Sequence, residues 1–324
     1  MKLEKLKHGD EIRVIAPSSA WNPKRTKQYE RALKKLENLG FKVSLGKYLK
    51  NAKHLDAVSS EDRVNDLHDA YKDKDVKAIM ALNGGWLANS LLPLIDWDLI
   101  KSNPKPLIGY SDITILLNAI YAKTGNIGFL GPNLGTFGIK HGADFTAASL
   151  IQAICGDDSY KLKQSEKWGE GKKRKEYTTH PWTVLQSGSA EGILIGGNIA
   201  TLYLLQGTEF YPSFNKDTIL LIEDDDESKE YTALEFDRRL ESLLQQPDAR
   251  KFIKGVIIGR FQTTSKITLK TIDEIVASKK LMGIPVIADV DFGHTQPLLT
   301  LPIGGKAIVE ASDSKAVIHI TRGA

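Results

Sequence analysis

The chain carries a single cysteine, Cys155, among 324 residues. No intrachain disulfide can form and no thiolate metal cluster can be built within one chain, which fits a reducing compartment. Long apolar runs are also missing. No stretch approaches the roughly 18 uncharged residues of a membrane span, and the start, MKLEKLKHGDEIRVIAP, has no apolar leader core. These absences predict a cytoplasmic protein without a membrane partner. An excess of charge is lacking too: 44 Lys and Arg face 40 Asp and Glu, so a dispersed net +4 gives no reason to expect a nucleic acid polymer as partner. No G-x-G-x-x-G follows the first apolar run, where APSSAWNP stands, so a dinucleotide site has little support. The acidic run 224–227 has no EF-hand spacing and reads as a solvated turn.

What is present is an ordinary globular composition, 41% hydrophobic and 26% charged, enough to bury a large core and form two domains. The first half alternates strand and helix patterns. EIRVIAP (11–17) is a short strand; Asn22 and Pro23 then supply a cap and a first-turn proline, and Tyr29, Ala32, Leu33, Leu36 and Leu39 keep helical spacing until Gly40. FKVSL, a helix around 60–71 capped by Ser60, and VKAIMAL repeat the cycle up to Gly84 and Gly85. PLIGY returns to the sheet, and DITILLNAIY leaves it as an amphipathic helix. This alternation predicts an α/β fold with a mainly parallel N-terminal sheet flanked by helices, residues 1–160.

Residues 161–180 belong to a polar, lysine-rich stretch that suits a linker or long surface loop. Beyond it, 181–324 reads as a β-rich C-terminal domain: GILIGG, TILLIE, GVIIGRF, PVIADV and a last hairpin turning at 312–315. One helix interrupts the strands, with Phe236, Leu240, Leu243 and Leu244 on one face.

Ser111 lies at a strand-to-helix turn, at the carboxyl end of a parallel strand where functional loops gather. A serine so placed lifts its hydroxyl above the sheet, and the next backbone N–H points where an oxyanion would form. Gly109 and Ser111 fit the start of G-x-S-x-G, but Ile113 fills the third small position. From the residues alone, an N-cap for the helix beginning at Asp112 is the commoner reading of Ser111. A nucleophile needs a base, and seven histidines are available. His319 alternates with Val317 in the last strand, His8, His54, His68 and His141 lie in polar surroundings, and His180 lies in the linker. His294 instead follows a buried strand on a glycine-flanked loop, with loop capping as its alternative role. Glu223 ends the strand TILLIE and is placed to fix a histidine tautomer.

GYSDIT preceded by LNGGWLANSLLPLIDWDLI, then GFLGP, LIGGN, LIED and GHTQPLLTLPIG, resemble in order and spacing the LD-carboxypeptidase family of serine peptidases. The likeness spans nearly the whole chain and is strongest to the branch of microcin C self-immunity proteins. It implies a triad of Ser111, Glu223 and His294 shared between two domains and lining the cleft between them. It implies an oxyanion hole from the backbone N–H groups of Gly85 and Asp112, with Gly84 against the substrate, no metal or other cofactor, and a homodimer. The murein-recycling members release a terminal D-alanine from tetrapeptide, whereas the immunity branch cuts the amide between an aminoacyl group and a nucleotide-like moiety. GGWLANSLLP departs from the murein pattern GGYG and resembles the immunity branch. There an aromatic residue before the C-terminal domain stacks on the base, a role that falls on Trp182, with Trp168 second; the alternative for Trp182 is an anchor for the linker. The basic run Lys172, Lys173, Arg174, Lys175 either attracts an anionic substrate or is a solvated face. The expectation is thus a serine hydrolase acting on a small peptide or peptidyl-nucleotide. A non-catalytic nucleotide- or sugar-binding module is the rival from another class.

Overall fold

The structure is a computed structural model that describes residues 4–52, 55, 57–139, 142–170, 175–178, 180–281, 283–313 and 315–322, with only the backbone of 175 and 176. His54, His141 and residues 172–174 of the basic run lie outside the described residues.

Strands are numbered along the chain. β1 (Glu11–Ile15), β2 (Lys42–Leu45), β3 (Val76–Ala81), β4 (Leu107–Gly109) and β5 (Gly128–Leu130) form a parallel sheet. Its sixth member arrives from far along the chain and pairs antiparallel with β5. The stretch 161–180 is not featureless. After β6 (Ser159–Lys161), β7 (Lys167–Glu170) pairs with β8 (Lys175–Thr178) as a two-stranded hairpin.

The second sheet holds eight strands in the order β6, β16 (Lys315–Thr321), β15 (Lys306–Ser312), β10 (Gly188–Asn198), β11 (Thr218–Glu223), β12 (Ile253–Gly259), β13 (Val286–Val290), β9 (Thr183–Gln186). The remaining strand, β14 (Leu301–Ile303), is the one lent to the first sheet. The second sheet is therefore mixed: β10 to β13 run parallel, and the strands outside them are antiparallel. Parallel neighbours need crossovers. Helix Thr232–Leu244 supplies one and helix Leu269–Ser278 the next, so the expectation of one helix here is corrected. The missed helix buries Ile272, Ile275 and Val276 behind a capping box at Thr268.

Two further expectations change. Ser59, not Ser60, caps the helix Ser60–Lys72, accepting from the N–H of Asp62 at 3.2 Å. Helix Ile113–Thr124, read as amphipathic, is buried at every position from Ile113 to Ile120. A helix apolar all round is a core helix, and this one lies between the two sheets. Ile113, Leu116 and Leu117 share one hydrophobic cluster with Leu194, Leu221 and Ile257 of the second sheet. Burying each such side chain stabilises by about 1.5–3 kcal/mol, so the two sheets are held together through the helix that follows Ser111. Its one buried amide is satisfied across that junction. Asn118 Nδ2 donates to the carbonyl of Gly196 at 2.9 Å, and the N–H of Gly196 donates to Asn118 Oδ1 at 3.1 Å.

Candidate active site

Ser111 leaves β4 and enters that central helix through a left-handed backbone, with φ of 64°. Such a conformation costs a non-glycine residue of order 1–3 kcal/mol and persists only where the surroundings impose it. It throws the hydroxyl above the end of the sheet, as a strand-to-helix elbow does. The turn after β3 closes over it. A Cβ at Gly84 would stand 2.9 Å from Ser111 Cβ and 3.0 Å from Ser111 Oγ, so only glycine lets the turn come this near. The simple N-cap reading of Ser111 is not what is seen: Asp112 occupies the N-cap position, and the helix has no side-chain cap.

Two strands of the other sheet end opposite. Glu223 closes β11 at 1% exposure, and His294 follows β13 on the loop anticipated for it. His294 Nε2 lies 3.1 Å from Ser111 Oγ, and His294 Nδ1 lies 2.8 Å from Glu223 Oε2. A carboxylate only accepts, so Nδ1 carries the proton toward Glu223 and Nε2 of the neutral ring accepts from the serine hydroxyl. Gly293 is required beside this pair, since at φ 101° a Cβ there would sit 2.6 Å from Glu223 Oε2. Burial alone lowers the His294 pKa, but the charge and hydrogen bond of Glu223, helped by Asp225 and Asp224, raise it from 6.5 to about 9. Tyr110 covers the imidazole at 5.2 Å between ring centroids.

The acidic run behind Glu223 is not wholly solvated. Asp224 is 2% exposed and pairs with Arg239 at 2.9 Å; burial first, then Asp225, push its pKa up to about 7.

Trp182 requires a correction. Expected to stack on a substrate base, it is 7% exposed, packed in the main core, with its indole N–H given to Asp291 at 3.0 Å. A side chain buried in this way has no open face for a base. Asp291, fully buried, also accepts from the N–H and hydroxyl of Ser165 and from Arg260 Nε at 3.0 Å. The network ties segments before and after the hairpin to the start of the His294 loop. The hairpin itself reaches that loop, where Gly169 and Gln296 exchange backbone hydrogen bonds of 2.7 and 2.8 Å. Trp168, the residue before Gly169, stacks on Tyr177 at 4.4 Å.

On the other side of Ser111, Gly85 faces Ser18 and Ser19, and beyond it opens a cavity of about 280 Å³ walled by Ala57, Trp86 and Leu87. Among the described residues, neither the N–H of Gly85 nor that of Asp112 donates a hydrogen bond. Asn198, the last residue of LIGGN but given no role from the sequence, stands level with Glu223 on the neighbouring strand, and its backbone N–H donates to Thr114 Oγ1 at 3.1 Å.

The LD-carboxypeptidase N-terminal domain matches residues 12–131, and the LD-carboxypeptidase C-terminal domain matches residues 191–309. This chain belongs to the LD-carboxypeptidase family. Each matched part carries one side of the site just described. Among family structures, a MccF-like protein from Bacillus anthracis is 39% identical with a TM-score of 0.95, covering 99% of both chains. The microcin C7 self-immunity protein MccF, from Escherichia coli, is 32% identical over 93% of this chain and 91% of its own. Its structure in complex with glutamyl sulfamoyl guanosine has a TM-score of 0.87 and covers 99% of this chain and 98% of that one. A muramoyltetrapeptide carboxypeptidase from Oxalobacter formigenes is 25% identical with a TM-score of 0.77, covering 96% and 98%. The family's two kinds of member named here thus share the fold of this carboxypeptidase-like enzyme. Among the described residues, no helix is long and apolar enough to cross a membrane.

Proposed function

We propose that this LD-carboxypeptidase family member hydrolyses an amide through a covalent acyl-enzyme on Ser111. The line Ser111, His294, Glu223, with contacts of 3.1 and 2.8 Å, carries the reading. His294 Nε2 takes the hydroxyl proton as Ser111 Oγ bonds to the scissile carbonyl carbon. The backbone N–H groups of Gly85 and Asp112 receive the oxyanion, a task for which both donors are free. Collapse breaks the carbon–nitrogen bond, and the imidazolium gives its proton to the leaving nitrogen. Water, deprotonated by His294, then cleaves the ester and returns Ser111. Glu223 fixes the tautomer and stabilises the imidazolium, in keeping with the raised His294 pKa.

The substrate we assign is an aminoacyl or peptidyl group joined by an amide to a nucleotide-like moiety. The nearer fold of MccF, and the aminoacyl sulfamoyl nucleoside bound to it, support this choice. With Trp182 buried, the planar group falls to Trp168, whose hairpin is tied to the His294 loop. Murein tetrapeptide is the second reading, and the burial of Trp182 favours it, because the tetrapeptide offers no base to stack. Incubation with an aminoacyl sulfamoyl adenosine and murein tetrapeptide side by side, with products read by mass spectrometry, separates the two. Cleavage of the nucleoside conjugate is expected. Release of D-alanine with the conjugate intact overturns the assignment. The proposal includes a cytoplasmic homodimer with functional parts at 1–160 and 181–324, and light scattering on the purified chain checks the dimer.

A further inference from the structure

The carboxylate of Asp112 is buried, immediately follows Ser111 and has no part in the chemistry above. It is 1% exposed, and Oδ2 accepts from Ser18 Oγ at 2.5 Å and from the N–H of Ala88 at 2.9 Å. Ala88 ends the short segment that starts at Gly84 and Gly85. On the far side of the same segment stands Arg63, 4% exposed, whose Nη1 donates to the carbonyls of Leu87 at 2.9 Å and Pro17 at 3.1 Å. Its Nη2 is held by Ser60 and Ser90, both at 3.0 Å. The turn also rests on β1's following loop, where the N–H of Ser19 donates to the carbonyl of Gly84 at 3.2 Å. The carboxylate grips the segment and Ser18 while the guanidinium grips the segment and Pro17, so two buried groups of opposite charge, without a direct ion pair between them, hold both loops at adjacent points.

Burying a carboxylate and a guanidinium is costly, the more so because Asp112 Oδ1 and Arg63 Nε are buried without a hydrogen-bond partner. What the two groups achieve is position. The side chain of Asp112 hangs from the elbow that carries Ser111, so its grip on Ala88 fixes the distance between the elbow and the glycine turn. We propose that Asp112, with Arg63, is a positioning residue that sets the Gly85 N–H against Ser111 for transition-state stabilisation, an inference that rests on the serine-hydrolase reading above.

The test uses the full chain as wild type, Ser111→Ala, Asp112→Ala, Asp112→Asn and Ser18→Ala. Endpoint titration with a fluorophosphonate counts folded, reactive sites, and kcat is expressed per titrated site with an aminoacyl sulfamoyl adenosine as substrate. The aldehyde of the same aminoacyl group, whose adduct on a serine places an oxyanion in the hole, supplies a binding readout. Asp112→Ala should lose about 10- to 100-fold in kcat per site with KM changed less than about threefold, the pattern of an interaction made in the transition state. Aldehyde affinity should fall by the same factor as kcat/KM. Asp112→Asn should recover part of the loss, because its amide oxygen still accepts from Ala88, and Ser18→Ala should lose several-fold. Should Asp112→Ala fail to fold, Ser18→Ala decides alone. Unchanged kcat per site and unchanged aldehyde affinity in these variants, with Ser111→Ala inactive, overturn the clamp and leave the serine reading intact. Turnover by Ser111→Ala at the wild-type rate removes both.

Discussion

Ser111 is held by backbone: a left-handed φ, a glycine turn pressed against its Cβ, and a buried helix leading away into the shared core. His294 is held by side chains: Glu223 on one ring nitrogen, and an Asp291, Arg260, Trp182 network at the root of its loop. Each side is therefore vulnerable to a different kind of change. Backbone constraint tolerates changes of polarity but no added Cβ, whereas a polar network fails on the loss of a partner or on any group driven between its members.

The largest effect expected is on the serine. Ser111→Ala should lower kcat by on the order of 10⁴ or more without loss of fold, since the group that attacks is gone. Ser111→Gly should be equally inactive yet more stable by about 1 kcal/mol, because glycine adopts the left-handed conformation without strain; a lower melting temperature than Ser111→Ala contradicts the strained elbow.

The two glycines compare the sides directly. Gly84→Ala must push a Cβ into Ser111 Cβ, and a displacement of that kind should cost about 10²-fold in kcat with a small change in melting temperature. Gly293→Ala meets the Glu223 carboxylate at a φ that disfavours any side chain, so it should lower the melting temperature as well as activity. Equal melting temperatures for the two variants would erase the contrast.

The pH dependence belongs to the histidine side alone. The neutral ring is the base, so kcat/KM should climb from pH 6.5, reach half its maximum near 9, the raised His294 pKa, and level off above it. Glu223→Gln removes the first cause of the rise and should shift the limb to lower pH while reducing the plateau. Stability runs the other way. A folded pKa above the unfolded one stabilises fully below about 6.5 and loses that contribution as pH passes through about 9. Melting temperatures of wild type should therefore fall over this window by more than those of His294→Ala.

The smallest effect is assigned to Trp182. Trp182→Phe removes one of several donors to Asp291 and should cost about 1 kcal/mol of stability. It should slow cleavage of a nucleoside conjugate and of a base-free amide by the same modest factor. A selective loss on the nucleoside conjugate would restore the stacking role that its burial argues against.

Much of this was legible in the residues. Period-two and βαβ patterns gave the parallel first sheet, and strand ends with a serine, a carboxylate and a histidine gave the three groups that meet. The reading failed where a local pattern has two tertiary outcomes. DITILLNAIY looks like a helix with one wet face, yet a second sheet covers that face, and nothing within ten residues encodes a partner that lies about eighty residues later. LPI at 301–303 joins the first sheet from the far end of the chain for the same reason. The stacking role of Trp182 comes from the resemblance alone, and the residues around it do not show its actual partner, Asp291, which is more than a hundred residues away. The resemblance calls only on the N–H of Asp112, since the loops its carboxylate joins meet in space and not in sequence.

The central claim is that Ser111 is the nucleophile and that His294, from the other sheet, activates it. Labelling with a fluorophosphonate followed by peptide mapping tests both statements in one measurement. The account predicts a single adduct on the peptide containing Ser111, formed readily by the wild type and nearly abolished in His294→Ala. An adduct on another residue, or undiminished labelling of Ser111 in His294→Ala, would contradict it.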